Sequence, residues 1–320
     1  MTARRGARLA LALAGLALAA CGVPASGPAV PPTLAATASP APPSPTPIPR
    51  LLWIGGPDEG MQAALSAWAE ARGWALSLDA AAAGAPGVQA VVAQDAQVAA
   101  GMPSTLPLVV VDGGSAAPGE RRSVIGGEGD RWDQAAFLAG ALAGLASRTG
   151  NIGLVEGAGQ GLEAVESAAF LHGLRYGCAR CTLVRRTAAE ASPAALLANA
   201  VDVVYAVGGE RSGAALAPLA EAGLWVVWTG APPEGVAPGR LAGGVGFAPQ
   251  GLVLQALEAL MEGEPGRRWP YAAQGGGLRL VAVDPAAISP GRLRVLEETL
   301  LALASGELHT GVDPHSGAPE

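Results

Sequence analysis

The sequence has no lysine, and all twenty of its basic residues are arginine. Schiff-base chemistry and the lysine of a phosphate-binding P-loop are therefore excluded. Histidine and cysteine are nearly as scarce, at three each. His172 falls in a helical stretch, and His309 and His315 lie in a polar carboxyl-terminal segment where solvent is the expected partner. They are not spaced to complete a four-ligand zinc site with Cys178 and Cys181, so no metal is expected. No Gly-x-Ser-x-Gly elbow occurs, and no histidine lies near a nucleophile and an acid, which leaves hydrolase chemistry without a motif. Charged residues make up only 15% of the chain, and the net charge is −7. A chain this acidic is a poor nucleic-acid binder, because phosphate neutralisation supplies most of that affinity. No repeat of the solenoid type is present.

The first 20 residues have the pattern of an export signal. Arg4, Arg5 and Arg8 precede an apolar stretch over residues 9–20, which is shorter than the roughly 20 residues that span a bilayer. Leu18-Ala19-Ala20-Cys21 ends it and resembles the bacterial lipobox, in which the cysteine is lipidated and becomes the new amino terminus. Removing residues 1–20 takes away three arginines and no acid, so the charge falls from −7 to −10. Residues 21–49 are rich in Pro, Ala, Ser and Thr, a composition that cannot bury enough surface to fold and that proline holds extended. A tether behind a lipidated Cys21 places the folded part outside the cytoplasm, at the cell membrane. There, Cys178-Ala-Arg-Cys181 reads as a local disulfide, whereas in the cytosol a redox or zinc site would be weighed.

Residues 133–177 organise the rest. Ala136, Phe137, Gly140, Ala141, Gly144 and Leu145 recur at helical spacing, a small-residue helix packed closely against something flat, with Gly150 placed as its C-cap. Residues 152–155 form a short apolar run between glycines, the pattern of a strand covered on both faces, and a second helix follows from about Leu162 to Tyr176. Helix, buried strand, helix is the repeating unit of a parallel α/β sheet, whose ligand-contacting loops lie at the carboxyl ends of the strands. Further strand, glycine turn and helix units start at residue 50. The expected fold class is α/β, with two doubly wound lobes and several crossings between them. Lobe 1 takes residues 50–125 plus about 248–272, lobe 2 takes 126–247 plus about 275–308, and residues 309–320 form a polar tail.

Four stretches resemble the basic membrane protein family of solute-binding lipoproteins, which includes purine nucleoside receptors of bacterial importers. They are Phe137-Leu-Ala-Gly140 with Thr149-Gly-Asn-Ile-Gly153; Phe170, Gly173 and Gly177; Ala200-Val-Asp-Val-Val-Tyr205 leading to Gly208, Gly209 and Gly213; and Ser305-Gly-Glu307. The resemblance covers roughly residues 120–308. It implies a type I periplasmic-binding fold that closes on a small solute in its cleft, ABC permease subunits as partners, no cofactor, no enzymatic activity, and a monomer. Phe170 falls on the family's base-stacking phenylalanine and Gly208-Gly209 on its ligand-facing turn. The aspartate and lysine that fix the ribose in nucleoside receptors do not carry over: their places fall at about Gly230 and near Phe247, and the first loop is shortened to residues 55–60. The implied solute is nucleoside-like or another aromatic or polar compound.

The tryptophans are candidates to replace that clamp. Trp53 and Trp228 end strands on opposite lobes and Trp132 follows the crossover, an aromatic pocket for which Asp58, Asp112, Glu128 and Arg211 supply polar contacts. One rival reading is a non-transport sensor, or a degenerate module of the same fold that binds nothing. Another is an NADP-type oxidoreductase, since Gly157-Ala-Gly159-Gln-Gly161 follows a strand and Arg185-Arg186 ends the next. That loop departs from the dinucleotide spacing at Leu162.

Overall fold

A computed structural model describes residues 47–81, 85–94, 96–112, 114, 116–157, 161–208 and 213–320. The export signal, Cys21, most of the tether, Gly209 and Arg211 lie outside the described residues. The first half runs β1 (Arg50–Ile54), α1 (Glu59–Glu70), β2 (Ala75–Ser77), β3 (Val88–Ala93), α2 (Ala96–Ala100), β4 (Leu108–Val111) and β5 (Arg122–Ile125). The second continues with α3 (Trp132–Ala146), β6 (Asn151–Glu156), α4 (Leu162–Gly177), β7 (Thr182–Thr187), α5 (Pro193–Leu197), β8 (Val203–Ala206), α6 (Gly213–Glu221), β9 (Trp225–Thr229) and β10 (Leu241–Phe247). The chain ends with α7 (Pro249–Met261), β11 (Arg268–Trp269), β12 (Leu278–Val281) and α8 (Pro290–Ser305).

These strands make two six-stranded sheets, ordered β11-β5-β4-β3-β1-β2 and β12-β10-β9-β8-β6-β7. The first is parallel throughout, and in the second only β12 runs antiparallel, against β10. Strand order therefore reverses at the same place in both, between β1 and β3 and between β6 and β8. The crevice outside such a reversal is where open α/β sheets bind ligands.

Alternation along the strands explains the layers. Leu51, Trp53 and Val92 pack on one face of the first sheet with Leu65 of α1 and Leu257 of α7, while Leu52, Val91 and Val110 face Ala99 of α2. In the second sheet Leu154, Tyr205 and Val227 face α3 and α4, while Val204, Val226 and Trp228 face Leu216 and Leu219 of α6. Three segments cross between the sheets: residues 126–131, the step from Phe247 to α7, and residues 270–277.

The small residues of α3 pack against a helix, not only the flat sheet the periodicity suggests. A Cβ at Gly140 would run into the Phe170 carbonyl, and one at Gly173 of α4 would run into the Phe137 carbonyl. The two backbones thus meet through reciprocal glycines, and α3 is buried on every side from Asp133 to Gly144. Gly150 is not its C-cap. The helix ends at Ala146, and Asp202 ties down the following turn, accepting from Ser147 Oγ at 2.6 Å, Arg148 N at 2.7 Å, and Thr149 N and Oγ1 at 3.1 and 3.0 Å.

Cys178 and Cys181 are joined by a disulfide where α4 gives way to β7. Residues 309–320 are docked on the second lobe, although His309 and His315 are exposed. Thr310 Oγ1 donates to the buried Asp133 at 2.8 Å, Val312 is buried, and Thr310 O lies 3.0 Å from His172 Nδ1.

Candidate functional site

The carboxyl ends of both sheets open on one cleft of about 470 Å³. From the first lobe it is lined by Trp53 at the end of β1, Asp58 and Met61 at the start of α1, Gln94 after β3, and Val111 and Asp112 at the end of β4. From the second come Gly230 after β9, Gly246 and Phe247 of β10, and Arg279 and Val281 of β12. Gln250 and Tyr271 stand at the crossings. Asp58 is the N-cap of α1 and its Oδ1 accepts from Met61 N at 2.9 Å. Gln94 Oε1 accepts from Gly56 N at 2.8 Å, which fixes the amide and leaves its NH₂ end as a donor.

Asp112 leaves β4 with a left-handed φ of 51°, a conformation aspartate adopts more readily than most residues. Its carboxylate accepts from the Tyr271 hydroxyl, and burial pushes the Tyr271 phenol well above its ordinary pKa, reinforced by the facing Asp112 charge. Tyr271 belongs to an aromatic chain in which each crossing supplies one ring. Trp132 meets Phe247 edge-on at 4.8 Å, and Phe247 stacks on Tyr271 at 4.8 Å. Hydrogen bonds brace the same segments. Asp130 accepts from Gly127 N and Tyr271 N, Arg131 N donates to Tyr271 O, and Ala248 N donates to Gly277 O. Burial raises the pKa of Asp130, and those two backbone donors oppose the rise.

A second polar cluster lies beneath the loops of the other lobe. Glu166 of α4 is 1% exposed, and its Oε2 accepts from Tyr205 Oη at 3.2 Å and Gly208 N at 3.0 Å. Tyr205 Oη also lies 3.1 Å from Thr229 Oγ1, and its ring stacks on Phe170 at 4.5 Å. Oε1 of Glu166 is buried without a hydrogen-bond partner. Burial raises the Glu166 pKa; the Gly208 and Tyr205 donors pull it down, and the nearby Glu163 charge adds to the rise.

Of the residues marked from sequence, the cleft brings together Trp53, Asp58, Asp112 and Phe247. Trp132 stands behind Phe247. The other described ones lie elsewhere, each for a physical reason. Gly127 and Gly129 take φ of 98° and 90°, and this turn leaves Glu128 exposed while Asp130 points inward. Phe170 is fully buried and stacks on Tyr205 within the core. Trp228 is 3% exposed because its ring covers Gly244, and Gly208 spends its N–H on Glu166. Arg185 of the dinucleotide-like pattern is paired with Glu156 at 2.9 Å.

Gln94, Gln250, Tyr271 and Arg279 were not marked. Tyr271 follows a strand of two residues, too short to leave a period. Arg279 could have been found, as the one charged residue in Leu-Arg-Leu-Val.

The fold is similar to that of an ABC transporter solute-binding protein from Conexibacter woesei DSM 14684, with a TM-score of 0.56 at 16% identity, covering 82% of this chain and 98% of that one. It is also similar to a transcriptional activator of the comK gene from Bacillus halodurans, with a TM-score of 0.50 at 15% identity, covering 83% and 100%. No family model matches the chain, and no curated protein does. The shared feature is the fold, the two-lobed type I periplasmic-binding-protein architecture. Among the described residues, no helix is long and apolar enough to cross a membrane.

Proposed function

We propose that the chain is a lipid-anchored, extracytoplasmic solute-binding protein of an ABC-type importer, related to the basic membrane protein family. It captures a small solute, nucleoside-like or another aromatic or polar compound, by closure of its two lobes. The observation that carries this reading is the cleft of about 470 Å³, to which both sheets bring side chains at the carboxyl ends of their strands. A solute that touches both lobes binds the closed state better than the open one, and that difference is what drives closure. No covalent step is needed. Trp53, Asp58, Asp112 and Phe247 are the proposed contacts, joined by Gln94, Gln250, Tyr271 and Arg279. Export and anchoring rest on the sequence alone, on the arginine-led apolar stretch, Cys21 and the proline-rich tether.

A transporter protein and a gene activator share this fold, so a sensor without a permease is the second reading, and the lipobox weighs against it. Thermal-shift measurement across nucleosides, bases, sugars and amino acids, with mass spectrometry of any solute retained through gentle purification, tests the binding step. At least one class is expected to raise the melting temperature. A flat response together with an empty retained fraction would remove the solute-binding reading.

A further inference from the structure

On β12, Arg279 and Val281 stand two residues apart and so share one face of the strand, and both line the cleft. Across the antiparallel ladder Arg279 is paired with Gly246 and Val281 with Gly244. The ring of Trp228 fills the space over Gly244, where an added Cβ would collide with it. Over Gly246 no ring intrudes, but a Cβ there would press on Val281 Cγ1 at 3.0 Å, so the strand floor is open only because residue 246 has no side chain. The result is a short trench with glycine as its floor and Val281 and Arg279 as its wall, while the Phe247 ring, one residue on, leaves the other face of β10.

Arg279 is the only basic residue among the described residues that line the cleft. It makes no hydrogen bond or ion pair with them, in contrast to other guanidinium groups nearby. Arg268 donates to the Gly126 and Ala116 carbonyls, and Arg131 holds both oxygens of Asp133. The carboxylates of the cleft, Asp58 and Asp112, arrive from the other lobe and are already engaged by Met61 N and Tyr271 Oη. A free guanidinium offers a planar fork of donors that matches a carboxylate in two parallel hydrogen bonds.

We propose that the trench over Gly246 is a subsite for a carboxylate on the bound solute, and that Arg279 determines specificity for it. The proposal rests on the solute-binding reading of the cleft and names the chemical class. The opposite end of the solute carries donors, hydroxyl or ammonium, for the remaining acceptor capacity of Asp58 and Asp112. An amino acid and a sugar acid both satisfy this chemistry, and matched compounds separate them.

The experiment compares phenylalanine with phenylalaninamide, and galacturonate with galactose, by calorimetry on the parent, Arg279→Gln and Arg279→Lys proteins. Arg279 is exposed, so the ligand-free variants are expected to melt with the parent. In the parent, the acid of at least one pair binds about tenfold or more tighter than its neutral counterpart. Arg279→Gln abolishes that preference, and Arg279→Lys, which keeps the charge without the fork, retains part of it. Equal binding of acid and neutral compound by the parent, or an undiminished preference in Arg279→Gln, overturns the subsite. So does recovery of a retained solute without an acidic group, an outcome that leaves the solute-binding reading standing. Silence of all four compounds, together with a flat response across the thermal-shift panel and no retained solute, removes both.

Discussion

The Tyr271 hydroxyl donates to the Asp112 carboxylate, which fastens the last crossing between the lobes to the end of β4. Tyr271 is 3% exposed and also carries the Phe247 ring, so one side chain joins a cleft carboxylate to the aromatic chain. Tyr271→Phe keeps the ring and removes the donor. The expected loss is roughly 1.5–3 kcal/mol, the range for a hydrogen bond to a charged group, read as a lower midpoint in urea unfolding. Tyr271→Leu is expected to lose more, because the stacking on Phe247 goes as well.

Glu166 gives a dependence on pH whose sign is fixed by its environment. Burial raises its pKa in the folded protein above the ordinary value of 4.5, so the folded state holds the proton more tightly than the unfolded state does. Its contribution to stability is fully present below about pH 4.5 and is lost as pH rises through the raised value. Glu166→Gln is neutral at every pH. The difference in melting temperature between Glu166→Gln and the parent is therefore expected to favour the variant increasingly as pH rises above 4.5. A difference that stays constant with pH above 4.5 would show that burial does not raise the Glu166 pKa.

Reciprocal glycines set the spacing of α3 and α4. Gly173→Ala places a methyl group against the Phe137 carbonyl, a backbone atom that cannot move aside alone. Overpacking of this kind costs about 1–3 kcal/mol, and denaturant unfolding of Gly173→Ala is expected to show at least the lower figure. Gly239→Ala, with open space around it, serves as the control and is expected to be neutral.

Fluorescence separates the two tryptophans that sequence spacing treats alike. Trp53 lines the cleft, whereas Trp228 packs over Gly244 against the α6 side of its sheet. Once a bound solute has been found, Trp53→Phe is expected to remove a substantial part of the emission change on binding. Trp228→Phe is expected to leave the change intact.

The α/β class and the sequence of strands and helices were legible because buried parallel strands write apolar runs bounded by glycine, as at residues 152–155. The ligand face was legible in part. Strand-end position alone selected Trp53, Asp112 and Trp228, and only the first two reach the cleft. What separates them is side-chain direction, which depends on pairing register and on glycines in a neighbouring strand, here Gly244 under Trp228. Phe170, in the Phe-x-x-Gly-x-x-x-Gly spacing it shares with Gly173 and Gly177, was read through a resemblance as a ligand-stacking ring. In the fold these residues are a helix-packing surface, with Gly173 and Gly177 against the Phe137 and Ala141 carbonyls. Asp202 shows the same limit. Its four hydrogen bonds reach residues more than 50 positions earlier, a relationship that no local pattern records.

The docked carboxyl terminus bears on the order in which the molecule is made. Asp133, sealed at the start of α3, receives the Thr310 hydroxyl from a residue translated 177 positions later, and β12 completes the second sheet only after α7 and β11 have been added to the first. The second lobe therefore cannot finish before residues 278–281 and Thr310 are in place. Folding of the second lobe is thereby coupled to contacts between segments far apart in the chain, which slows its completion relative to local helix formation.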